Sequence, residues 1–173
     1  MYPGVMLWWL LFTCWILALI HADLRHRRVP NRLIVMGFAA QLLWLLAAAL
    51  VSGWAYPPRW TGWLPTLAGF MSAALFLPLW RWRLMGAGDI KAIAVLGLLL
   101  GFAPLMVTLV LASVVAGLHS LVVVAVSGIW ALGQRARQIP YAAYLGLGAC
   151  SAVLIPWNSP WYSWCSSWCS TGS

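Results

Sequence analysis

The sequence predicts an all-α, polytopic helix bundle embedded in a membrane, with about six transmembrane helices. Three observations predict it. Hydrophobic residues fill 64% of the 173 positions and charged residues only 7%, against roughly 25% charged in soluble domains. The apolar runs suit a hydrocarbon core of ~30 Å, which needs about 20 residues per helix. The ten lysines and arginines fall in short clusters between those runs, as the basic anchors of membrane helices do.

On that ruler helix 1 covers about 4–22 and helix 2 about 33–52. Helix 3 covers about 63–80, and a short helix 4 about 89–102. Helix 5 follows Pro104 to about Leu132, and helix 6 runs from about Ile139 to Trp157. Gly101 and Pro104 divide the fourth helix from the fifth. The first apolar run lacks a basic leading region and passes straight into arginine-rich sequence, so it reads as a retained helix and not a signal peptide. Residues 1–157 form the membrane-embedded domain. Residues 158–173, rich in Trp, Ser and Cys, form an interfacial or disordered tail.

With six spans, nine of the ten basic residues share one side. Arg25, Arg27, Arg28 and Arg32 lie between helices 1 and 2, and Arg81, Arg83 and Lys91 between helices 3 and 4. Arg135 and Arg137 lie between helices 5 and 6, and only Arg59 falls opposite. That asymmetry places the basic loops in the cytoplasm and both termini outside it. The net charge of +8 therefore points to the lipid bilayer as partner and not to nucleic acid. Many of the fourteen tryptophans lie near helix ends, among them Trp8, Trp9, Trp54, Trp60, Trp80, Trp82 and Trp157, as an interfacial belt requires.

The acids are the informative residues. There is no glutamate, and the only two aspartates are Asp23 and Asp89. Asp23 closes helix 1 and Asp89 opens helix 4, so both lie at the cytoplasmic ends of helices. An ionisable group in a membrane helix is costly and marks function by default. A structural reading exists for each. Asp89, after Gly86-Ala87-Gly88, suits a helix N-cap. Asp23 opposes the dipole of its own helix and would pair with Arg25, Arg27 or Arg28. As the chain's only acids, matched in depth, the two are explained better together, provided helices 1 and 4 are neighbours. Two carboxylates around one water share a proton. One then acts as general base on the water while the other polarises a scissile carbonyl.

Competing chemistries are poorly supplied. No HExxH and no GxSxG occurs. His119 and Ser120 are adjacent in mid-helix and face different directions. Cys14, Cys150, Cys165 and Cys169 show no CxxC pair at zinc spacing, so neither a metal site nor a cofactor is expected. Cys165 and Cys169 could form a disulfide if the tail is periplasmic. The glycines of Gly86-Ala87-Gly88-Asp89 permit close backbone approach, and Pro30-Asn31 marks a turn and the start of helix 2.

Taken together these motifs resemble those of the type IV prepilin peptidases. Asp23-Leu24-Arg25-His26-Arg27-Arg28-Val29-Pro30-Asn31-Arg32 resembles their first aspartate motif, and Gly86-Ala87-Gly88-Asp89-Ile90-Lys91 their second, the GxGD motif. Ile139-Pro140-Tyr141 resembles a third feature, and the likeness extends from residue 23 to about 150. It implies an all-α bundle akin to other GxGD intramembrane proteases, with Asp23 and Asp89 as catalytic acids and Pro30, Asn31, Gly86, Gly88 and Lys91 as supporting motif residues. It implies a multi-pass protein of the bacterial inner membrane, an aspartic endopeptidase that cleaves the basic leader of prepilins or pseudopilins at the cytoplasmic face. Larger family members also carry a two-CxxC domain and methylate the new N-terminus. This chain has neither those cysteines nor that length, so it resembles the short form. The Trp/Cys/Ser tail matches nothing in the family. Two other classes compete: a proton-coupled transporter subunit, whose acids would sit near the bilayer midplane in inverted repeats, and a non-catalytic pilus or secretion assembly factor, whose acids would only pair with arginines.

Overall fold

The computed structural model describes residues 3–26, 29–51, 63–83, 85–127 and 140–154. Their regular structure is entirely helical: α1 (Pro3–His26), α2 (Asn31–Leu50), α3 (Trp63–Ser72), a 3₁₀ turn (Ala73–Phe76), α4 (Leu77–Arg81), α5 (Ala87–Leu100), α6 (Phe102–Ser127) and α7 (Tyr141–Leu154). With α3, the turn and α4 taken as one bent passage, these are the six passages expected. The tail at 158–173, with Cys165 and Cys169, lies outside the described residues, as do Arg27, Arg28, Arg59, Arg135, Arg137 and Ile139.

Length separates the passages into two kinds. Three helical stretches, Met6–His26, Asn31–Leu50 and Phe102–Val126, are long and apolar enough to cross a membrane. α5 and α7 have 14 residues each, about 21 Å at 1.5 Å per residue, short of a ~30 Å core. The third passage breaks where Pro78 enters the first turn of α4, because proline has no N–H to continue the preceding helix. Burial follows the same division. Ile90, Ile93, Leu96 and Leu100 of α5 are buried, whereas Leu43 of α2 and Leu121 and Val124 of α6 are about two-thirds exposed. Large aliphatic side chains displayed in such numbers suit lipid and not water.

The bundle closes around α5 and α7. α7 packs against α1, α5 and α6, while α3 and α2 flank α5. The α3–α5 crossing is a glycine contact. A Cβ on Gly69 would strike the carbonyl oxygen of Gly97, and one on Gly97 would strike that of Gly69. Small residues allow this approach where lipid offers helices no hydrophobic drive to associate. Gly101 then ends α5 with φ +73°, a left-handed conformation that glycine adopts without strain. Its N–H donates to the Gly97 carbonyl at 2.9 Å, and α6 begins at the next residue. The division expected at Gly101–Pro104 is thus where the chain turns.

Two boundaries differ from expectation. α1 continues to His26 instead of ending near residue 22, so Asp23 lies inside the helix. Arg25 and His26 in the last turn complement the negative end of the helix dipole and sustain that extra turn. α5 begins at Ala87 with Gly86 as its N-cap, so Asp89 occupies the first turn and is not the cap itself.

Candidate active site

One end of the bundle gathers the residues that the sequence singles out. α1 ends there, α2 and α5 begin there, and α4 stops a few residues before α5. Pro30, at φ −69° and ψ 135°, is the N-cap of α2 without a side-chain cap, and its carbonyl accepts from Leu33 N–H at 3.0 Å. Asn31 does not cap the helix either. Its Oδ1 accepts from Lys91 Nζ at 3.0 Å, which ties the first motif to the second across the exposed rim. Beneath that bond Gly88 approaches Val29: a Cβ on Gly88 would lie 3.5 Å from the Val29 Cβ. The start of α5 therefore sits directly on the α1–α2 connection.

Asp89 lies in the first turn of α5, outside the three segments long enough to span. Its backbone N–H donates to the Gly86 carbonyl at 3.1 Å, and the Gly86 N–H in turn supports its carboxylate. This is the reach of a third-position acid back to the N-cap, half of a capping box. Space for it depends on glycine, since a Cβ on Gly86 would stand 3.0 Å from Asp89 Oδ2. The carboxyl is nevertheless pushed up to about 6. Burial is the largest cause and the negative charge of Asp23 the second, while the Gly86 hydrogen bond opposes both. The charge of Asp23 acts on Asp89, so the two carboxylates lie at the same end of the bundle and not on opposite ones.

Asp23 reaches that site in a way the sequence did not suggest. α1 and α5 share little direct packing, and α7 lies against both. Asp23 is 6% exposed, and its Oδ2 accepts from the backbone N–H of Ala143 at 2.9 Å. Ala143 is in the first turn of α7, where helical N–H groups lack intrahelical acceptors and the dipole is positive. An acid that opposes the dipole of α1 is thus placed at the favourable end of another helix. The backbone of Ala143 is the participant that sequence reasoning missed. Pro140 ahead of Tyr141 signals a helix start, but nothing local says which acid that start would meet.

The arrangement presents two carboxylates, two backbone donors and a lysine–asparagine bridge at the end of an apolar bundle. Among the described residues no three His, Cys, Asp or Glu side chains come together as metal ligands would. Chemically, a carboxylate pair that differs in exposure and hydrogen bonding can hold one proton between its members and activate a water.

No curated protein and no solved structure matches the chain. The model of the type IV leader peptidase family matches residues 10–121, more than half of the sequence, and that stretch contains both aspartates and both of their motifs. A membrane helix bundle that presents these motifs at one end, matched by that model over this range, belongs to the type IV leader peptidase family.

Proposed function

We propose that the protein is an aspartic endopeptidase of the bacterial inner membrane that removes the leader peptide of type IV prepilins or pseudopilins at the cytoplasmic face. Asp23 and Asp89 are its catalytic acids. The observation that carries this reading is that the segments holding the chain's only two acids meet at one end of the bundle, joined by the Lys91–Asn31 hydrogen bond and the close approach of Gly88 to Val29. The positive-inside asymmetry of the basic residues in the sequence supports a cytoplasmic location for that end and termini on the far side.

In the working state the pair holds one proton. The unprotonated carboxylate takes a proton from water as its oxygen attacks the scissile carbonyl carbon. The protonated partner donates to the carbonyl oxygen. The tetrahedral diol then collapses: one of its hydroxyls gives its proton to the ionised carboxylate, the C–N bond breaks, and the amine leaves with the proton taken from water, so that the pair again holds one. Gly86 and Gly88 keep the backbone thin where an extended substrate strand would approach. The Lys91–Asn31 bond holds the two motif segments together.

The Ala143–Asp23 hydrogen bond also favours a purely structural role for Asp23, as an acceptor for the start of α7. Substitution by asparagine separates the two readings, because the amide oxygen still accepts an N–H but cannot act as an acid or base. Asp23→Asn and Asp89→Asn, co-expressed with a pilin encoded in the same genomic neighbourhood, should insert normally and yield no size shift on a gel, while the unmodified protein yields one. Near-normal cleavage by either variant would reject the pair. Asp89-dependent proton movement in liposomes without any cleavage would favour a transporter.

A further inference from the structure

The chemistry proposed above leaves one polar pair unused. His119 is the only ionisable side chain in α6, a span whose other polar side chains are hydroxyls alone, and such a group is costly there unless partnered. Its Nδ1 is hydrogen-bonded to the Tyr144 hydroxyl. The two rings meet edge to face, 5.8 Å apart at 85°, and both residues are half-buried. Tyr144 belongs to the first turn of α7, and its N–H donates to the Pro140 carbonyl at 3.3 Å. The residue before it, Ala143, supplies the N–H that meets Asp23.

Most of the α7 packing surface is small: Ala142, Ala143, Gly146, Gly148, Ala149 and Ala152 are buried, with Leu145 the one large side chain among them. Small side chains permit close approach but give the helix no directional side-chain contact of their own, so its rotation depends on the few hydrogen bonds it makes. A hydrogen bond between side chains fixes that rotation. The more distant pairing of the Ser113 and Tyr141 hydroxyls, at 3.4 Å, is longer and exposed and constrains it less.

We propose that the Tyr144–His119 hydrogen bond sets the rotation of α7 so that the Ala143 N–H faces Asp23, which makes Tyr144 and His119 positioning residues for the Asp23 carboxylate. Its consequence for cleavage rests on the proposed peptidase reading, whereas its consequence for α7 does not.

The test uses the full chain in detergent, with hydrogen–deuterium exchange over residues 141–147 and cleavage kinetics measured on the same preparations. Tyr144→Phe removes only the hydroxyl. It should raise exchange in the first turn of α7 by about threefold to tenfold, in keeping with a single interhelical hydrogen bond. It should lower kcat by a similar factor and leave KM unchanged. His119→Ala should match it, and the double variant should lose no more than either single one, as expected of two partners in one contact. His119→Gln, which can still bond the hydroxyl, should recover most of both losses. Unchanged exchange in Tyr144→Phe would overturn the proposal. So would increased exchange throughout the bundle, which marks general loosening, or increased exchange in α7 with unaltered kcat. Increased exchange confined to α7, in a protein that cleaves no pilin even unmodified, would uphold the latch and reject the peptidase reading instead.

Discussion

Asp23 and Asp89 are the same residue type at the same end of one bundle, yet they are held by different means. Asp89 is supported by its own sequence neighbourhood: Gly86 and its N–H lie three residues away, and the helix it begins is its own. Asp23 is supported from a distance of 120 residues, by the Ala143 N–H of a helix that belongs to neither aspartate. Asp23 is buried, while Asp89 stands half-buried beside exposed Gly86 and Lys91. The contrast teaches that the proposed pair would be assembled from one locally encoded half and one half that exists only once the bundle has closed. It also brings α7 into the proposed site through the Ala143 N–H, although α7 contributes no acid.

The comparison can be broken by experiment, and the largest effect expected is on catalysis. Asp23→Asn and Asp89→Asn should each reduce leader cleavage by about 10²–10⁴-fold, the usual weight of a positioned acid or base. A loss at only one position would mean that the two halves do not act as a pair.

Next comes pH. A pair that works with one proton is inactive when both carboxyls are protonated and inactive again when both are ionised, so cleavage should follow a bell. Burial and the neighbouring charge hold Asp89 at about 6. The alkaline limb should therefore lie at or above that value and not near the ordinary carboxyl range of ~4. A rate that falls off near pH 4 would show that Asp89 is not under Asp23's influence in the working enzyme.

Stability should separate the two halves more gently. Asp23→Ala leaves the buried Ala143 N–H without its acceptor, at a cost of about 1–3 kcal/mol. Asp89→Ala removes a half-buried group and should cost less. Thermal unfolding in detergent measures both, and equal losses would erase the distinction between the local and the distant half.

The smallest effect belongs to the rim. Asn31→Ala breaks an exposed hydrogen bond to Lys91, for which about 1 kcal/mol, or about fivefold in kcat/KM, is a ceiling. A hundredfold loss would promote Asn31 from the bridge to the chemistry.

Much of this protein was legible from its residues alone. Hydropathy is a local property, so the helical class, the number of passages and the turn at Gly101 could be read from runs of apolar residues and their breaks. The two acids declared themselves because they have no competitors: a chain with no glutamate and two aspartates offers one possible carboxylate pair. The extra turn of α1 was less legible, because Arg25 and His26 look like a loop by composition but stabilise a helix end through the dipole. That Asp23 would meet the start of another helix, and not only the arginines near it, was illegible for a related reason. Only the helix to which it belongs is visible in sequence, and the one that meets it lies far along the chain.

The residues by themselves determined that this chain forms apolar helices and carries its acids where helices end. Which helices meet was decided by the tertiary structure. The backbone contact of Gly69 with Gly97 lets α3 close on α5, and the small-residue face of α7 lets it lie against both α1 and α5. A hydrogen bond to Ala143 then positions Asp23. Helix formation depends on neighbours along the chain. The distance between two carboxylates on different helices depends on how closely backbones can approach, and that is settled only when the bundle is packed.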